Sequence, residues 1–289
     1  MPLPLVWLDG RLLPLAEARI SPLDRGFLFG DGVYEVLPVY GGRAYRFDEH
    51  IERLDRSLRE IRMKPALDRA GWLAVCGAVV RGNGGGDLLL YLQVTRGVEP
   101  ERNHVPQPGV RPTIFACVQP LPVVTAAAIE NGVVAITTED MRWARCDIKS
   151  TSLLGNVLHR WMAADAGAAE TVLLRNGKLT EGSTSSAHVV KDGRIATPPQ
   201  TNAILPGTTR GVLFELAERA GIASERRPVS EAELRAGGEI LIASAGGGIR
   251  AVTTLDGRPV GAGTPGPVFR KIYDGFIATR QEFSTELPA

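Results

Sequence analysis

The segment CDIKSTSLLGN, residues 146–156, contains a residue type that often performs covalent chemistry, the lysine Lys149. Small and apolar residues follow it at once, so its ammonium group is expected at the edge of a core. Lysine is rarely buried without a partner, and buried lysines have shifted pKa values that suit Schiff-base formation. By itself, the segment is more typical of a lysine at a strand end with its ammonium group in water.

A carboxylate and a predicted anion site follow Lys149 along the chain. Glu181 lies in LTEGSTSS, residues 179–186, and the segment PGTTR, residues 206–210, leads into an apolar helical pattern. The N–H groups at a helix N-terminus bind anions well. A reactive lysine, a carboxylate for the pyridine nitrogen and a phosphate cup are the groups that a pyridoxal phosphate enzyme needs.

Other catalytic patterns are absent from the sequence. Its four histidines lie far apart without HExxH or CxxC motifs, so no metal site is predicted. No G-x-S-x-G motif indicates a hydrolase triad. The glycine cluster RGNGGGD, residues 81–87, follows a predicted helix rather than preceding one, which argues against a phosphate loop.

Composition is that of an ordinary globular protein. The chain has 289 residues, with 33 basic and 32 acidic side chains, so there is no general electrostatic reason to bind nucleic acid or an anionic membrane. Three scattered cysteines favour a reducing compartment, and no segment resembles a signal peptide or a membrane span. We therefore expect a soluble cytoplasmic protein.

Hairpins and amphipathic helices alternate without a regular βαβ period, which predicts an α+β fold. Tight turns are expected at Asp9-Gly10, Gly41-Gly42, Asn176-Gly177, Asp192-Gly193 and Asp256-Gly257. Helices are expected over FDEHIERLDRSLREIRM with Asp48 as N-cap, over 68–81, over 152–166, from Thr208 and at the C-terminus. The proline-rich segment QPLPVVTA predicts a linker at 120–127 between domains 1–119 and 128–289.

Six motifs together give a resemblance to a known family. They are DRGFLFGDGVYEV, EHIERL, YLQVTRG, RWARCDIKSTSLLGNVL, LTEGSTSS and ILPGTTR, and they occur in the order of the fold-type IV pyridoxal phosphate enzymes. The match extends from about residue 5 to about residue 275, and within the family the chain is most similar to D-amino-acid aminotransferases. The resemblance implies a two-domain fold, pyridoxal 5'-phosphate in the interdomain cleft and a homodimer.

The resemblance also implies roles for individual residues. Lys149 would form the Schiff base and move the substrate proton, and Glu181 would pair with the pyridine nitrogen. Arg53 of EHIERL would bind the cofactor phosphate, because its planar fork matches phosphate oxygens. The cofactor-binding set is completed by Thr208, Thr209, Ser244 and Gly246.

For the substrate, the resemblance implies a carboxylate trap. Tyr34 of GDGVYEV, together with Arg102 and His104 of the loop after QVTRG, would fix the α-carboxylate and so determine which face of Cα meets Lys149. The expected reaction moves an amino group from a D-amino acid to 2-oxoglutarate or pyruvate by a ping-pong mechanism through the Lys149 aldimine.

The sequence departs from the family pattern in two places. Ser186 replaces a common asparagine, and His188 replaces an aromatic residue. The turn that often reads STTSE is SAGGGIR here, which removes side-chain donors and leaves Arg250 without an assigned role. Alternatives therefore stay open: a branched-chain L-amino-acid aminotransferase, an (R)-amine transaminase, 4-amino-4-deoxychorismate lyase, and a non-catalytic binding protein.

Overall fold

The chain divides into two compact units in a computed structural model that describes residues 1–288. The first unit contains Met1–Pro122, Ile148–Ser152 and the segment from Arg280 on, and the second contains Val123–Asp147 and Leu153–Thr279. The chain therefore returns to the first unit twice, and one of the two returns contains Lys149. The continuous domains proposed from the sequence did not include these returns.

Sixteen strands and eight α-helices make up the two units within residues 1–288. The strands are β1 Leu5–Leu8, β2 Arg11–Pro14, β3 Gly32–Tyr40, β4 Arg43–Tyr45, β5 Leu88–Thr95, β6 Thr113–Pro120, β7 Val133–Glu139, β8 Glu170–Arg175, β9 Lys178–Gly182, β10 Ser186–Lys191, β11 Arg194–Thr197, β12 Ser224–Arg226, β13 Glu239–Ser244, β14 Gly248–Leu255, β15 Arg258–Pro259 and β16 Ser284–Glu286. The helices are α1 Arg25–Phe29, α2 Phe47–Glu60, α3 Arg69–Gly82, α4 Ala126–Asn131, α5 Leu154–Asp165, α6 Thr208–Arg219, α7 Glu231–Arg235 and α8 Pro267–Ala278. This mixture confirms the predicted α+β class.

The first unit is built on an antiparallel sheet of seven strands in the order β16-β4-β3-β5-β6-β1-β2. One face of α2 is apolar at intervals of three and four residues, and its Leu54 and Leu58 are fully buried beside Trp72 of α3. Ile148, from the segment that returns to this unit, belongs to the same apolar core. The lysine segment is thus anchored in the first unit by hydrophobic packing.

The second unit is built on a mixed sheet of nine strands in the order β12-β11-β10-β13-β14-β7-β8-β9, with β15 paired to β14. Ile240 and Ile242 of β13 lie opposite Val252 and Arg250 of β14, so these four side chains point to one face. The three apolar side chains belong to the apolar core of the unit, and Arg250 is the charged residue on the same face of the sheet.

The five predicted hairpin turns are confirmed. Asp9, Asn176, Asp192 and Asp256 all have positive φ between 46° and 53°, the left-handed conformation that Asp and Asn tolerate before glycine. The predicted N-cap Asp48 is wrong, since α2 begins at Phe47 after Arg46, whose φ is 51°. The predicted linker 120–127 overlaps the start of α4. Thr125 is the N-cap of that helix, and its side chain accepts a hydrogen bond from the N–H of Ala128.

Candidate active site

Lys149 is held by backbone contacts to β3 and α2. Its N–H group lies 3.3 Å from Ser57 Oγ, and its carbonyl accepts a hydrogen bond of 3.0 Å from the N–H of Tyr34. Its Nζ atom lies 4.2 Å from the centre of the Tyr34 ring and makes no hydrogen bond or ion pair with residues 1–288. The backbone of Lys149 is therefore fixed in position, and its half-buried side chain is not engaged in an ion pair with these residues.

Arg53 lies in a buried ion cluster with Glu35 and His50. Its Nε and Nη2 atoms each donate to one oxygen of Glu35 at 2.7 Å, and His50 Nδ1 is 2.7 Å from the same carboxylate. Burial alone would raise the pKa of Glu35, but the charges of Arg53 and His50 lower it to about 2. This bidentate pair orients the guanidinium group of Arg53, whose role as a phosphate ligand stays a prediction.

Arg102 and His104 lie on an exposed loop that packs against Phe29 of α1. The Arg102 guanidinium carbon is 4.8 Å from the centre of the Phe29 ring, and the His104 ring is 5.4 Å from it. The loop therefore presents one permanent cation and one titratable ring beside the same aromatic side chain.

Arg25 fixes the backbone of this loop through hydrogen bonds. It is 3% exposed, and it donates to Asp31 at 2.9 Å, to Glu99 at 2.5 Å and to the carbonyls of Asn103 and His104 at 2.6 and 3.0 Å. Charged and bidentate hydrogen bonds of this kind restrict geometry strongly. The backbone around both predicted trap residues is thus fixed by one buried side chain.

Glu181 lies on β9 with only 5% of its surface exposed. One oxygen accepts a 2.5 Å bond from Arg142, and the other accepts a 3.1 Å bond from the N–H of Leu205. Burial raises the pKa of Glu181, and the charge of Arg142 opposes that shift. Both oxygens of the carboxylate are therefore held in position. One of them is bound by Leu205, which lies in the segment just before α6.

Thr208 and Thr209 form the first turn of α6. The N-cap is Gly207, which has no side chain to accept from the first N–H groups of the helix. These donors and the helix dipole favour an anion at this end. A phosphate group fits the chemistry of this donor set.

Ser244 and Gly246 lie at the hairpin turn between β13 and β14. Ser244 Oγ accepts a 3.2 Å hydrogen bond from the N–H of Gly247. His188 of β10 is fully buried against Phe214, and neither of its ring nitrogens has a hydrogen-bond partner. Burial lowers the pKa of His188 to about 3, so its ring is neutral at physiological pH.

The predicted site residues divide equally between the two units. Tyr34, Arg53, Arg102, His104 and Lys149 belong to the first unit, and Glu181, Thr208, Thr209, Ser244 and Gly246 belong to the second. Within the first unit, Lys149 and Tyr34 are in contact, and Arg102 and His104 share Phe29. The described residues include no group of three potential metal ligands, and no described helix is long and apolar enough to span a membrane.

Three positioning side chains were missed by the sequence reasoning: Glu35, Arg142 and Arg25. A charged residue inside the apolar strand GVYEVLPV was an available signal for Glu35, because such a residue needs a buried partner. For Arg142 and Arg25, the contacts that position the site are made with Glu181 and Glu99, which lie 39 and 74 residues away, so no local pattern marked them.

Comparisons with known proteins identify the family. The model of the family "Amino-transferase class IV" matches residues 32–255. A D-alanine aminotransferase of Bacillus licheniformis is 40% identical over 92% of this chain and 94% of its own length. One from Staphylococcus aureus is 39% identical, over 94% of this chain and 96% of its own.

A branched-chain amino acid aminotransferase of Escherichia coli has a similar fold. Its TM-score is 0.93, with 99% of this chain and 100% of that chain covered, at 23% identity. The likeness at this identity concerns the fold alone, whereas the family match and the relatives near 40% identity concern the sequence. The chain belongs to the class IV aminotransferases.

Proposed function

We propose that this protein is a pyridoxal phosphate-dependent aminotransferase that moves an amino group from a D-amino acid to a 2-keto acid. The observation that supports it most is the fixed, unpaired ammonium group of Lys149 against Tyr34. A lysine amine that is not engaged in an ion pair can attack a carbonyl carbon and form a Schiff base. The similarity to D-alanine aminotransferases supports the choice of substrate class.

The residues of the two units fit pyridoxal phosphate chemically. Glu181 is a buried carboxylate held by Arg142 and Leu205, which suits a hydrogen bond to a pyridine nitrogen. In the first unit Arg53, and in the second unit the start of α6, each have donors that suit a phosphate group. When bound, the cofactor supplies an electron sink for the carbanion that forms at the substrate Cα.

Lys149 would remove and return the proton at the substrate Cα. For that role its amine must be uncharged while the substrate is bound, and the Tyr34 ring excludes water from one side of it. Arg102 and His104 would bind the α-carboxylate, and Tyr34 would contribute a hydroxyl donor. A carboxylate fixed on one side determines which hydrogen of Cα points at Lys149.

Replacing Lys149 with alanine tests the role of this side chain. The K149A variant should lose turnover by at least about a thousandfold, because general acid–base catalysis and covalent attachment of the cofactor disappear together. The exposed Lys178→Ala variant is a matched control and should keep wild-type turnover. Turnover of K149A that equals that of K178A would contradict the mechanism.

A half-reaction panel tests the substrate class. Changes in the visible absorption of the bound cofactor are followed after adding D-alanine, D-glutamate, L-leucine, L-glutamate or (R)-1-phenylethylamine. Fast changes with the D-amino acids alone are expected. A response to L-leucine without any response to D-amino acids would replace this substrate class with the branched-chain one.

The proposal includes a homodimer and a cytoplasmic location. The dimer is supported by α5, where Leu154, Val157, Leu158, Trp161 and Met162 form an apolar stripe with 36–72% exposure. Contiguous apolar surface of this kind is unusual in monomers. Light scattering after size-exclusion chromatography should give twice the mass of one chain, and Trp161→Glu should reduce it to that of one chain.

A further inference from the structure

Asp140 is a buried carboxylate that contacts three donor side chains of the second unit. It directly follows β7, and its side chain is fully buried. Its Oδ1 atom accepts from Arg142 Nε at 2.9 Å, and its Oδ2 atom accepts from Arg142 Nη2 at 2.9 Å and from Thr180 Oγ1 at 3.0 Å. Arg175 Nη2 also lies 3.0 Å from Oδ2. A carboxylate with so many donors is held in one geometry.

Arg142 lies between Asp140 and Glu181 and is paired with both. The edge of its guanidinium group that contains Nε and Nη2 faces Asp140, and Nη1 donates to Glu181 Oε1 at 2.5 Å. A guanidinium group is planar and rigid, so the bidentate contact with Asp140 fixes the direction in which Nη1 donates. The orientation of Arg142 toward Glu181 therefore depends on Asp140.

Charges of alternating sign follow one another through this cluster. Burial raises the pKa of Glu181, the charge of Arg142 opposes that shift, and the charge of Asp140 adds to it. For Asp140 itself, burial would raise the pKa, but Arg142 and Arg175 together lower it. Asp140 is therefore ionised at neutral pH and contributes a full negative charge beside Arg142.

Two further titratable groups interact with the cluster, and both are uncharged at neutral pH. His159 of α5 lies near Asp140, and burial lowers the pKa of its ring. Cys146 lies near Arg142, and burial raises the pKa of its thiol. The charge balance around Glu181 is therefore set by Asp140 and the two arginines.

We propose that Asp140 is a positioning residue for Glu181: it directs Arg142 Nη1 at the Glu181 carboxylate and offsets the Arg142 charge. The inference rests on the proposed function, in which Glu181 pairs with the pyridine nitrogen of the cofactor. An arginine paired with Glu181 alone would cancel much of the attraction for a protonated ring nitrogen. Asp140 restores a net negative charge to the cluster of Asp140, Arg142 and Glu181, whereas Arg175 reduces it.

The test changes the charge beside Arg142 in opposite directions. Asp140→Asn removes the negative charge, and Arg175→Gln removes the positive charge that lies 3.0 Å from Asp140. The control is Asp192→Asn, the same substitution at an exposed hairpin residue of the same unit. Asparagine tolerates the positive φ of 50° at that position.

The measurement is nitrogen NMR of each holoenzyme, reconstituted with pyridoxal 5'-phosphate that is isotopically labelled at the ring nitrogen. The chemical shift reports whether that nitrogen is protonated, and a pH series gives the midpoint. D140N should lower the midpoint by about one pH unit, because the charge that opposes Arg142 is lost in a site of low effective dielectric constant. R175Q should raise the midpoint by a smaller amount, and D192N should leave it unchanged.

A protonation curve of D140N equal to that of the wild type would overturn the proposal, even if D140N were less stable. Asp140 would then be only a structural acceptor that ties the end of β7 to β8 and β9. If D140N does not fold, R175Q decides, because its side chain is partly exposed and its removal keeps Asp140 paired with Arg142.

A midpoint of R175Q that is not above that of the wild type would likewise overturn the proposal. Failure of the wild-type protein to bind pyridoxal 5'-phosphate is a different outcome, since it would contradict the proposed function itself. A wild-type holoenzyme whose ring nitrogen is never protonated would contradict the role of Glu181 in that function.

Discussion

The loop that contains Arg102 and His104 and the turn at residues 245–247 differ in how their arginines are paired. At the loop, Arg25 donates to two carboxylates and two carbonyls. At the turn, Arg250 donates to nothing within residues 1–288. A region whose cation is already paired has its geometry fixed before a ligand arrives, whereas an unpaired cation contributes to affinity when an anion binds.

The largest effect that separates the two regions is expected for Arg25→Met. This change removes the donor to Glu99 Oε2 and to two carbonyls of the loop, so the backbone at Arg102 and His104 is no longer held by Arg25. KM for D-alanine should rise about tenfold to a hundredfold, because small misplacements of binding groups weaken catalysis strongly. Steady-state kinetics with D-alanine and pyruvate measure it.

Arg25→Lys is the matched control for that prediction. It keeps the charge near Glu99 but loses the fork that reaches the two carbonyls, so its KM should lie between those of the wild type and R25M. The affinity of the apoprotein for pyridoxal phosphate should stay unchanged in both variants. A normal KM in R25M would mean that the loop does not depend on Arg25.

A second effect concerns His188, a buried side chain of the second unit whose two ring nitrogens lack hydrogen-bond partners. Its pKa is about 6.5 in the unfolded chain and about 3 when folded. Between these values only the unfolded chain binds the proton, so stability falls as the pH drops below 6.5. At pH 5 the His188 ring lowers the free energy of unfolding by about 2 kcal/mol relative to neutral pH.

His188→Phe should remove that acid sensitivity. Urea unfolding of both proteins at pH 7.5 and pH 5 gives the free energies of unfolding. Between pH 7.5 and pH 5, the free energy of unfolding of the wild type should fall by about 2 kcal/mol more than that of the variant. An unchanged difference would show that the buried ring titrates normally.

The smallest effect is expected for Phe29→Leu. The change removes the ring that contacts both Arg25 and Arg102 while keeping an apolar side chain. A cation–π contact at an exposed site contributes about 0.5–1 kcal/mol, so KM for D-alanine should rise about twofold to fivefold. A rise as large as that of R25M would show that Phe29, rather than the ion network, fixes the loop.

Local features of the fold were predictable from the sequence because their causes are local. Asp-Gly and Asn-Gly pairs specify tight turns through positive φ, and the hairpins followed. The N-cap of α2 was misassigned because Asp48 has a suitable side chain, but the chain already turns at Arg46, whose guanidinium pairs with Glu49. The helix therefore begins one residue before Asp48, and helix boundaries are uncertain by one or two residues when they are assigned from local propensity.

The candidate site was less predictable because its contacts are long-range. The family motifs named Lys149 and Glu181, but not the side chains that orient them or their neighbours. The Arg142–Glu181 pair spans 39 residues, and Arg25 reaches the loop across nearly twice that distance. The sequence assigns no role to Arg250, and only the structure shows that its Nε is buried without a hydrogen-bond partner.

The return of residues 148–152 to the first unit makes Lys149 a reporter of how that unit folds. Its backbone depends on β3 and Ser57, and Ile148 beside it depends on the core around Trp72. Absorption from a cofactor attached to Lys149 would therefore follow melting of the first unit. In a variant that carries Trp7→Phe and Trp72→Phe, fluorescence would come from Trp143 and Trp161 of the second unit alone and would follow melting of that unit. One unfolding experiment read at two wavelengths can tell whether the units melt together.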